Sequence, residues 1–499
     1  MERSIAEGRP ATPTVPLAAR SPTTIVVGLL IVLAALALYT VSSPVHWNMY
    51  NHFVWQADAF LHGRAWFPYP IPDGSSLPAN WYFQDVDPLT DAAGIPDGRV
   101  LLPFPPLPAI VLMPFVAVFG LATDQQAIAI GLAAVGVGLA YWMLGRLPVR
   151  LSIRVLTTLV FAAGTAWWWA SAVGSTWYLA HLVAADIALV AVGVALGADP
   201  RAVSEDTWDE ADRVAEEAAA EGPRAAAGGR GGLPGWIWPL DRSHVLAGFL
   251  LGLAATARLP MVLAAPWFIF VGGGGSRGRR LVSAGVGGAV PVAALLLYTL
   301  ATTGSFIHPG YDYQYRLEAA GYPTLGYHTD WSVEDPRYIP QNLEIMLGGL
   351  PVVAPDVKPD TLGLSAPQPL CAAPGAQRSL FDAGCPLAMP VDTGTSVLLS
   401  APGLLLALFA VRRHPLARLT IGTVLAVLAI ATFNLAHFSQ GWVQWGYRFS
   451  LDFVPFLLPL VALGAERLDG HPRLAAAALL VAGTAVNLWG VTWGRILGW

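Results

Sequence analysis

The first chemically rich segment of this chain is residues 48–70, NMYNHFVWQADAFLHGRAWFPYP, which follows directly on a run of hydrocarbon side chains. Spacings of four, three and four positions place these residues on one stripe of a helix: Asn51, Trp55, Asp58 and His62. Apolar residues fill the other side, so we expect an amphipathic helix at a membrane interface that ends near Gly63, with its polar stripe facing a cavity or water. Asp58 could act as a general base toward a hydroxyl group, with the other three residues binding substrate. The competing interpretation is that Asp58 and His62 are merely solvated.

A second acidic segment, residues 80–99, reads NWYFQDVDPLTDAAGIPDGR. Turn formation explains the aspartate of its PDG tripeptide without any function. Asp85 and Asp87 come directly after an aromatic run and have no such explanation. They are therefore further candidates for the catalytic base.

Two arginines are candidate phosphate ligands, because a guanidinium group matches phosphate oxygens in a bidentate manner. Arg258 belongs to the tetrapeptide ARLP inside a long apolar stretch. Arg448 follows Gln444 and Tyr447 in the segment QWGYRFSLD. We count all four as candidate substrate-binding residues. The alternatives are that Arg448 pairs with Asp452 one helical turn later, or that each arginine only reaches lipid headgroups.

Residues 306–322, FIHPGYDYQYRLEAAGY, combine aromatic rings with polar groups. Tyr311 and Asp312 suit sugar binding, since a ring can stack on a pyranose face while a carboxylate bonds its hydroxyl groups. An aromatic belt at the membrane interface is the competing explanation.

Several other chemistries are not indicated by the sequence. The ten histidines make no close pairs, and the zinc signature HExxH does not occur. The GGGGS run at 272–276 lacks the lysine of a phosphate-binding loop, and there is no GxSxG elbow. No basic face or arm is visible, which argues against nucleic-acid binding. We therefore expect no metal site and no cofactor.

The composition identifies the elements that must position these residues. The chain of 499 residues is 55% hydrophobic and only 12% charged, whereas soluble domains carry about a quarter charged residues. Repeated apolar runs near 20 residues predict an all-α polytopic membrane protein with about eleven transmembrane helices. The expected spans are 24–41, 128–144, 152–171, 177–196, two within 244–271, 281–301, 397–411, 416–436, 449–463 and 474–493. The first is read as a retained span rather than a cleaved signal.

Arginine placement fixes the predicted orientation, because cytoplasmic loops are rich in Lys and Arg. The short basic segments are residues 1–20, 146–154, 277–280, 412–418 and 467–473. They all fall on one side of the membrane if two assumptions hold. The first assumption is that 101–121, with five prolines, lies along the surface instead of crossing. The second is that 244–271 forms a hairpin with Arg258 at its turn. This predicts a multi-pass protein of a bacterial-type plasma membrane, with its N-terminus cytoplasmic and its C-terminus outward.

The expected organisation has five parts. They are an N-terminal transmembrane module (1–197) with a first outward loop at 42–124 that carries juxtamembrane helices, a cytoplasmic acidic and glycine-rich linker (198–243), a transmembrane hairpin and span (244–302), a second outward loop (303–396) and the C-terminal transmembrane helices (397–499). Cys371 and Cys385 are the chain's two cysteines, and both fall in the second outward loop. An oxidising compartment favours a disulfide between them over two free thiols.

The chain resembles the GT-C membrane glycosyltransferases, a superfamily that includes protein O-mannosyltransferases and bacterial aminoarabinose transferases. Three stretches carry the likeness: PPLPAIVLMPFVAVFG at 105–120, the hairpin LAGFLLGLAATARLP at 246–260, and the arginine–aromatic start of a proline-bearing late span at 448–459. The resemblance covers most of the chain as architecture, with loose motifs. It implies that a polyprenyl-phosphate-linked sugar is the donor, that membrane lipids surround the site, and that an outward carboxylate deprotonates an acceptor glycan, lipid or protein, with inversion at the anomeric carbon.

One departure from that pattern leaves two functions open. The superfamily's early acidic residue in the first outward helix corresponds to Asn51 here, and an amide cannot act as a base. Either Asp58, Asp85 or Asp87 takes that role, or catalysis has been lost. The alternatives are an active glycosyltransferase and a non-catalytic membrane protein that binds a lipid-linked glycan or supports a partner enzyme.

Overall fold

In a computed structural model the chain is mostly helical. The structure describes residues 21–46, 48, 50–68, 85–90, 96–199, 240–273, 275–321, 328, 330–361, 363, 366–468 and 472–499. The helices described are, in order, α1 (Pro22–Ser42), α2 (His52–Leu61), α3 (Leu107–Phe119), α4 (Gln125–Leu144), α5 (Leu151–Ala163), α6 (Trp167–Val173), α7 (Thr176–Ala198), α8 (Arg242–Ala255), α9 (Ala265–Phe270), α10 (Arg277–Thr303), α11 (Gly310–Gly321), α12 (Ile339–Gly348), α13 (Val397–Ser400), α14 (Ala407–Arg413), α15 (Arg418–Ala436), α16 (Val454–Glu466) and α17 (Pro472–Leu497).

The long apolar helices make this an all-α membrane protein, as the sequence predicted. Within the described residues, six helices are long and apolar enough to cross a bilayer, or seven if α5 and α6, bent by 46° at their junction, form one broken span. The six are α1, α4, α7, α10, α15 and α17. Shorter apolar helices lie at 107–122, 242–255, 259–270 and 454–466. Since length and composition select only six or seven spans, the number eleven stays a prediction.

The stretch 244–271 is broken at the arginine, as predicted. Helix α8 ends at Ala255, and a 3₁₀ helix (Leu259–Ala264) and α9 follow Arg258. His244, at the start of α8, lies 2.7 Å from the carbonyl of Phe268 near the end of α9. The two halves therefore fold back on each other, with Arg258 at the turn.

The proline-rich stretch forms α3, which packs against α2. Its 13 residues span only about 20 Å, against about 30 Å for the hydrocarbon core, so α3 alone is too short to cross. The amide of Leu107 donates to the carbonyl of Thr256 (3.1 Å), so the start of α3 sits on the end of α8. This helix therefore connects the first long loop to the hairpin turn.

Helix α2 ends where predicted, because it stops at Leu61 and Gly63 takes a φ of +69° shortly beyond, while Asn51 and His62 are its cap residues. Its inward face differs from expectation. The buried polar residues are His52, whose imidazole lies 3.0 Å from Thr176 Oγ1, and Gln56. The stripe that begins at Asn51 occupies another side of the helix.

A small sheet in the first loop was not predicted. Strands β1 (Phe67–Pro68), β2 (Asp87–Thr90) and β3 (Pro96–Leu101) pair antiparallel in the order β1-β3-β2. In the second loop, β4 (Val352–Val353) pairs with β5 (Ala388–Met389). Cys371 and Cys385 are joined in a disulfide, which confirms that prediction. The central part of the predicted 198–243 linker lies outside the described residues.

One end of the helix assembly is rich in arginines, and these belong to the basic segments that sequence analysis placed on one side of the membrane. Arg150, before α5, pairs with Glu466 at the end of α16. Arg418, at the start of α15, and Arg280 both approach Asp199 after α7. We call this the arginine end. Each of these helices has its other terminus at the opposite end, where a large cavity lies.

Candidate functional site

A cavity of about 2070 Å³ lies at the helix ends opposite the arginine end. Five of the sequence-derived site residues line it: Asp85, Arg258, Tyr311, Asp312 and Arg448. Its walls come from the ends of α1, α7, α10, α15 and α17, from β3 and the segment after it, and from the hairpin turn. The fold thus brings together residues separated by more than 350 positions in sequence.

Asp85 supplies a carboxylate to this cavity. It is half-buried, takes a left-handed φ of +62°, and accepts a hydrogen bond from the indole Nε1 of Trp177 at 2.9 Å. Burial raises its pKa to about 6, while the Trp177 hydrogen bond and the charge of Arg448 act in the opposite direction. A carboxylate with a pKa near 6 is well matched to general-base catalysis near neutral pH.

Arg448 supplies a buried cation beside this carboxylate. Its guanidinium group lies over three rings, with Cζ 5.9 Å from the centroid of Trp177, 5.5 Å from Tyr178 and 5.2 Å from Phe449. Its Nε is buried and makes no hydrogen bond to any residue that the structure describes. Arg448 also lines the cavity, so a ligand there would meet its positive charge.

Arg258 is held differently, by a carboxylate that is fully buried. Its Nη2 and Nε lie 2.9 and 3.3 Å from the two oxygens of Asp452. The same carboxylate bonds the imidazole of His181 (2.8 Å) and accepts from the amide of Asn434 (3.0 Å). We call these four residues the Asp452 cluster. The prediction that Asp452 could pair with Arg448 is wrong, because 448–452 is a 3₁₀ helix and positions four apart there do not face each other.

Phe449 lies between the two arginines. Cζ of Arg258 is 5.5 Å and that of Arg448 is 5.2 Å from its ring centroid. The ring keeps the guanidinium groups on one wall of the cavity, and cation–π attraction favours this placement. An anion in the cavity would therefore meet positive potential from both.

The aromatic and acidic residues of the second loop form another wall. The ring of Tyr311 meets that of Phe104 edge-on at 6.3 Å, and Asp312 pairs with Arg316 at 2.8 Å. Sequence reasoning missed Glu334 and His437, which also line the cavity and lie 3.3 Å apart. No local pattern signals this pair, since 103 residues separate its members.

Seven sequence-derived candidates are not among the described residues that line the cavity: Asn51, Trp55, Asp58, His62, Asp87, Gln444 and Tyr447. Trp55 packs near Phe67, with ring centroids 6.4 Å apart. The Asp58 carboxylate lies 3.5 Å from His62, whose side chain is 61% exposed. The expectation that the α2 stripe faces this cavity is therefore wrong. The adjacent side of α2, about 100° away, carries His52 and Gln56 into the protein interior.

Asp87 is the first residue of β2. Its neighbours Val86 and Pro88 line the cavity, whereas Asp87 does not. It lies 3.9 Å from Nδ1 of His308. Burial lowers the pKa of His308 to about 4, and its Nδ1 already accepts from the amide of Gly310 at 3.1 Å. The imidazole is therefore neutral at neutral pH, and this contact is not an ion pair.

Gln444 and Tyr447 are buried behind the lining rather than in it. The side-chain oxygen of Gln444 accepts from the backbone amide of Arg448 at 2.9 Å, and its nitrogen donates to the carbonyls of Thr393 and Gln440. Gln444 thus fixes the backbone at which Arg448 begins its short helix. The Tyr447 hydroxyl is buried and has no hydrogen-bond partner among the described residues.

Comparison with known proteins adds no assignment: no family model, no curated protein and no solved structure matches the chain. Within the described residues no group of three or more His, Cys, Asp or Glu side chains could hold a metal ion. The functional argument therefore rests on the cavity itself.

Proposed function

We propose that this protein is a GT-C-type membrane glycosyltransferase, which transfers a sugar from a polyprenyl-phosphate-linked donor to an acceptor at the outer membrane surface. The observation that carries the proposal is the placement of Asp85 and Arg448 in one large cavity among the ends of apolar helices. A carboxylate with a pKa of about 6 beside a buried guanidinium group matches a base and a leaving-group ligand.

The proposed step follows from that geometry. Asp85 takes the proton of an acceptor hydroxyl group, and the hydroxyl oxygen attacks the anomeric carbon of the donor from the face opposite the phosphate. The new C–O bond forms as the bond to the phosphate oxygen breaks, and the polyprenyl phosphate leaves with both bonding electrons. Arg448, supported by Arg258, stabilises the developing phosphate charge.

The donor's hydrocarbon chain has a matching surface. Beyond the arginines the cavity is lined by Leu259 at the hairpin turn, Leu296 on α10 and the segment after it. Phe306 and Ile307 in that segment are 58% and 79% exposed. Apolar side chains at the outer end of a span suit a prenyl chain that enters from the bilayer.

The topology belongs to the same proposal. We propose that the short and broken helices cross the membrane as well, which would give the predicted eleven spans, and the positive-inside rule then places the arginine end in the cytoplasm. Single cysteines at 277 and 412 should resist an impermeant thiol reagent in intact cells, whereas one at 313 should react. Labelling at 277 would overturn this orientation.

The test of activity is release of polyprenyl phosphate from short-chain prenyl-phosphate sugars by purified protein supplied with cell-envelope extract. We expect release by the wild type and its loss in Asp85→Asn, with Asp58→Asn as the matched control. Retained activity in Asp85→Asn would remove Asp85 as the base.

A second candidate is a non-catalytic protein that binds a lipid-linked glycan. Asn51 favours it, since an amide stands where the resemblance expects an acid. This alternative would be supported if the wild-type protein binds prenyl-phosphate sugars but releases prenyl phosphate from none of them.

A further inference from the structure

The cavity has a second arm that the proposed donor does not occupy. Tyr178 separates it from the charged centre, with Arg448 5.5 Å from its ring and its hydroxyl group 2.9 Å from the indole nitrogen of Trp169. Trp169 in turn meets Trp499 edge-on at 6.3 Å. A continuous aromatic wall therefore leads from Arg448 to the end of α17.

This arm is a groove with a defined floor and two walls. Helix α6 packs against both α1 and α17 and forms the floor. The lining residues are Ser42, Ser43, Pro44, Val45, Trp169, Ala172, Val173, Val491, Gly494, Arg495 and Trp499. On α17 the wall continues as exposed apolar side chains such as Leu488, which lies two helical turns before Arg495. In a membrane this side chain would meet the hydrocarbon phase.

The polar groups of the arm divide into satisfied hydroxyl groups and one available cation. Ser42 Oγ donates to the Leu38 carbonyl (2.6 Å) and accepts from Trp168 (2.9 Å), while Ser43 Oγ donates to the Ala172 carbonyl (2.9 Å). Arg495 is exposed and forms no ion pair with any residue in the described part of the chain. Its charge is thus the unmatched feature of an otherwise apolar groove.

The size of the cavity agrees with two ligands. Single-ligand pockets commonly measure about 300–1,000 Å³, whereas this cavity measures about 2070 Å³. The Arg448 wall and the Arg495 arm belong to the same cavity, so a donor and an acceptor would share it.

We infer that the Arg495 arm binds a membrane lipid with an anionic headgroup, and that this lipid is the acceptor class. Its headgroup meets Arg495, and its acyl chains lie between α1 and α17. The acceptor role rests on the proposed function, while lipid binding at the arm does not.

The experiment uses the full-length protein in nanodiscs of phosphatidylcholine with trace phosphatidylglycerol that carries a photoreactive acyl chain. Cross-linked peptides should map to residues 42–45, 169–173 and 491–499. Arg495→Gln should lower this labelling about fivefold, the effect of one basic residue at a membrane surface. Arg412→Gln, an exposed arginine at the other end, should leave it unchanged.

Three results would overturn the inference: adducts only outside the arm, equal effects of Arg495→Gln and Arg412→Gln, or full competition by soluble glycerol phosphate. Val45→Trp is a second test variant. It fills the groove without changing the charge, and it should also reduce labelling. Release of prenyl phosphate from the prenyl-phosphate sugar is measured in the same nanodiscs. Specific labelling without any release would keep the lipid site and refute the transferase.

Discussion

The Asp452 cluster and the Asp85 region are both charged, and they differ in how many hydrogen-bond donors surround the carboxylate. In the cluster a fully buried carboxylate receives four polar contacts from His181, Arg258 and Asn434. In the Asp85 region the carboxylate has one indole donor and lines the cavity. A carboxylate saturated with donors, like that of Asp452, is fixed by its neighbours, whereas one with few donors can accept from a ligand.

The largest expected effect concerns the saturated region. Asp452→Ala leaves Arg258 without its counter-charge and should lower the free energy of unfolding by about 3–5 kcal/mol. Denaturation of the purified protein in detergent measures this. The control is Asp356→Ala, because Asp356 pairs with Arg378 but is 92% exposed, so its loss should change stability by less than about 1 kcal/mol. Equal effects would erase the distinction between the regions.

The next effect concerns the base. Asp85→Asn keeps the shape but cannot accept a proton, so the transfer rate should fall at least about a hundredfold with donor binding retained. Stability should hardly change, in contrast to Asp452→Ala. The control is Asp58→Asn, which lies outside the cavity and should keep the wild-type rate. If this variant lost as much transfer rate as Asp85→Asn, the base would be Asp58 on α2.

Arg448→Ala should weaken donor binding roughly tenfold, since hydrogen bonds to charged groups contribute about 1.5–3 kcal/mol. Titration with a prenyl-phosphate sugar measures the change. A neutral prenyl glycoside of the same length is the control ligand, and its affinity should not move. A loss for both ligands would mean that Arg448 shapes the cavity rather than binding phosphate.

The smallest effect is a shift in pH dependence. Because the base must be deprotonated, the rate should rise with pH and reach half its maximum near pH 6, the pKa of Asp85. The Trp177 hydrogen bond lowers that pKa, so Trp177→Phe should move the midpoint upward. A pH–rate profile of the two proteins tests this. An unmoved midpoint would assign the titration to another group.

Sequence patterns predicted features that depend on local physics. A costly arginine inside an apolar run predicted the hairpin turn at Arg258, and a glycine after an amphipathic run predicted the end of α2. The two cysteines of one loop predicted their own disulfide. Each of these outcomes is decided by residues close together in the chain.

The errors came from long-range packing. Helical periodicity groups Asn51 with Asp58, but it does not say which side of α2 the rest of the protein covers. The partner of Asp452 is Arg258, 194 positions away, and no i,i+4 rule could find it. Glu334 and His437 became site residues only when two distant segments met.

The distance between Arg258 and Asp452 also imposes an order on biogenesis. In the predicted topology the two short halves of the hairpin insert together, before Asp452 is synthesised. Until then Arg258 has no counter-charge, and the headgroup layer is where such a charge is tolerated. The late helices then supply Asp452 and complete the ion pair, so a chain that stops before residue 452 would keep an uncompensated arginine at the hairpin turn.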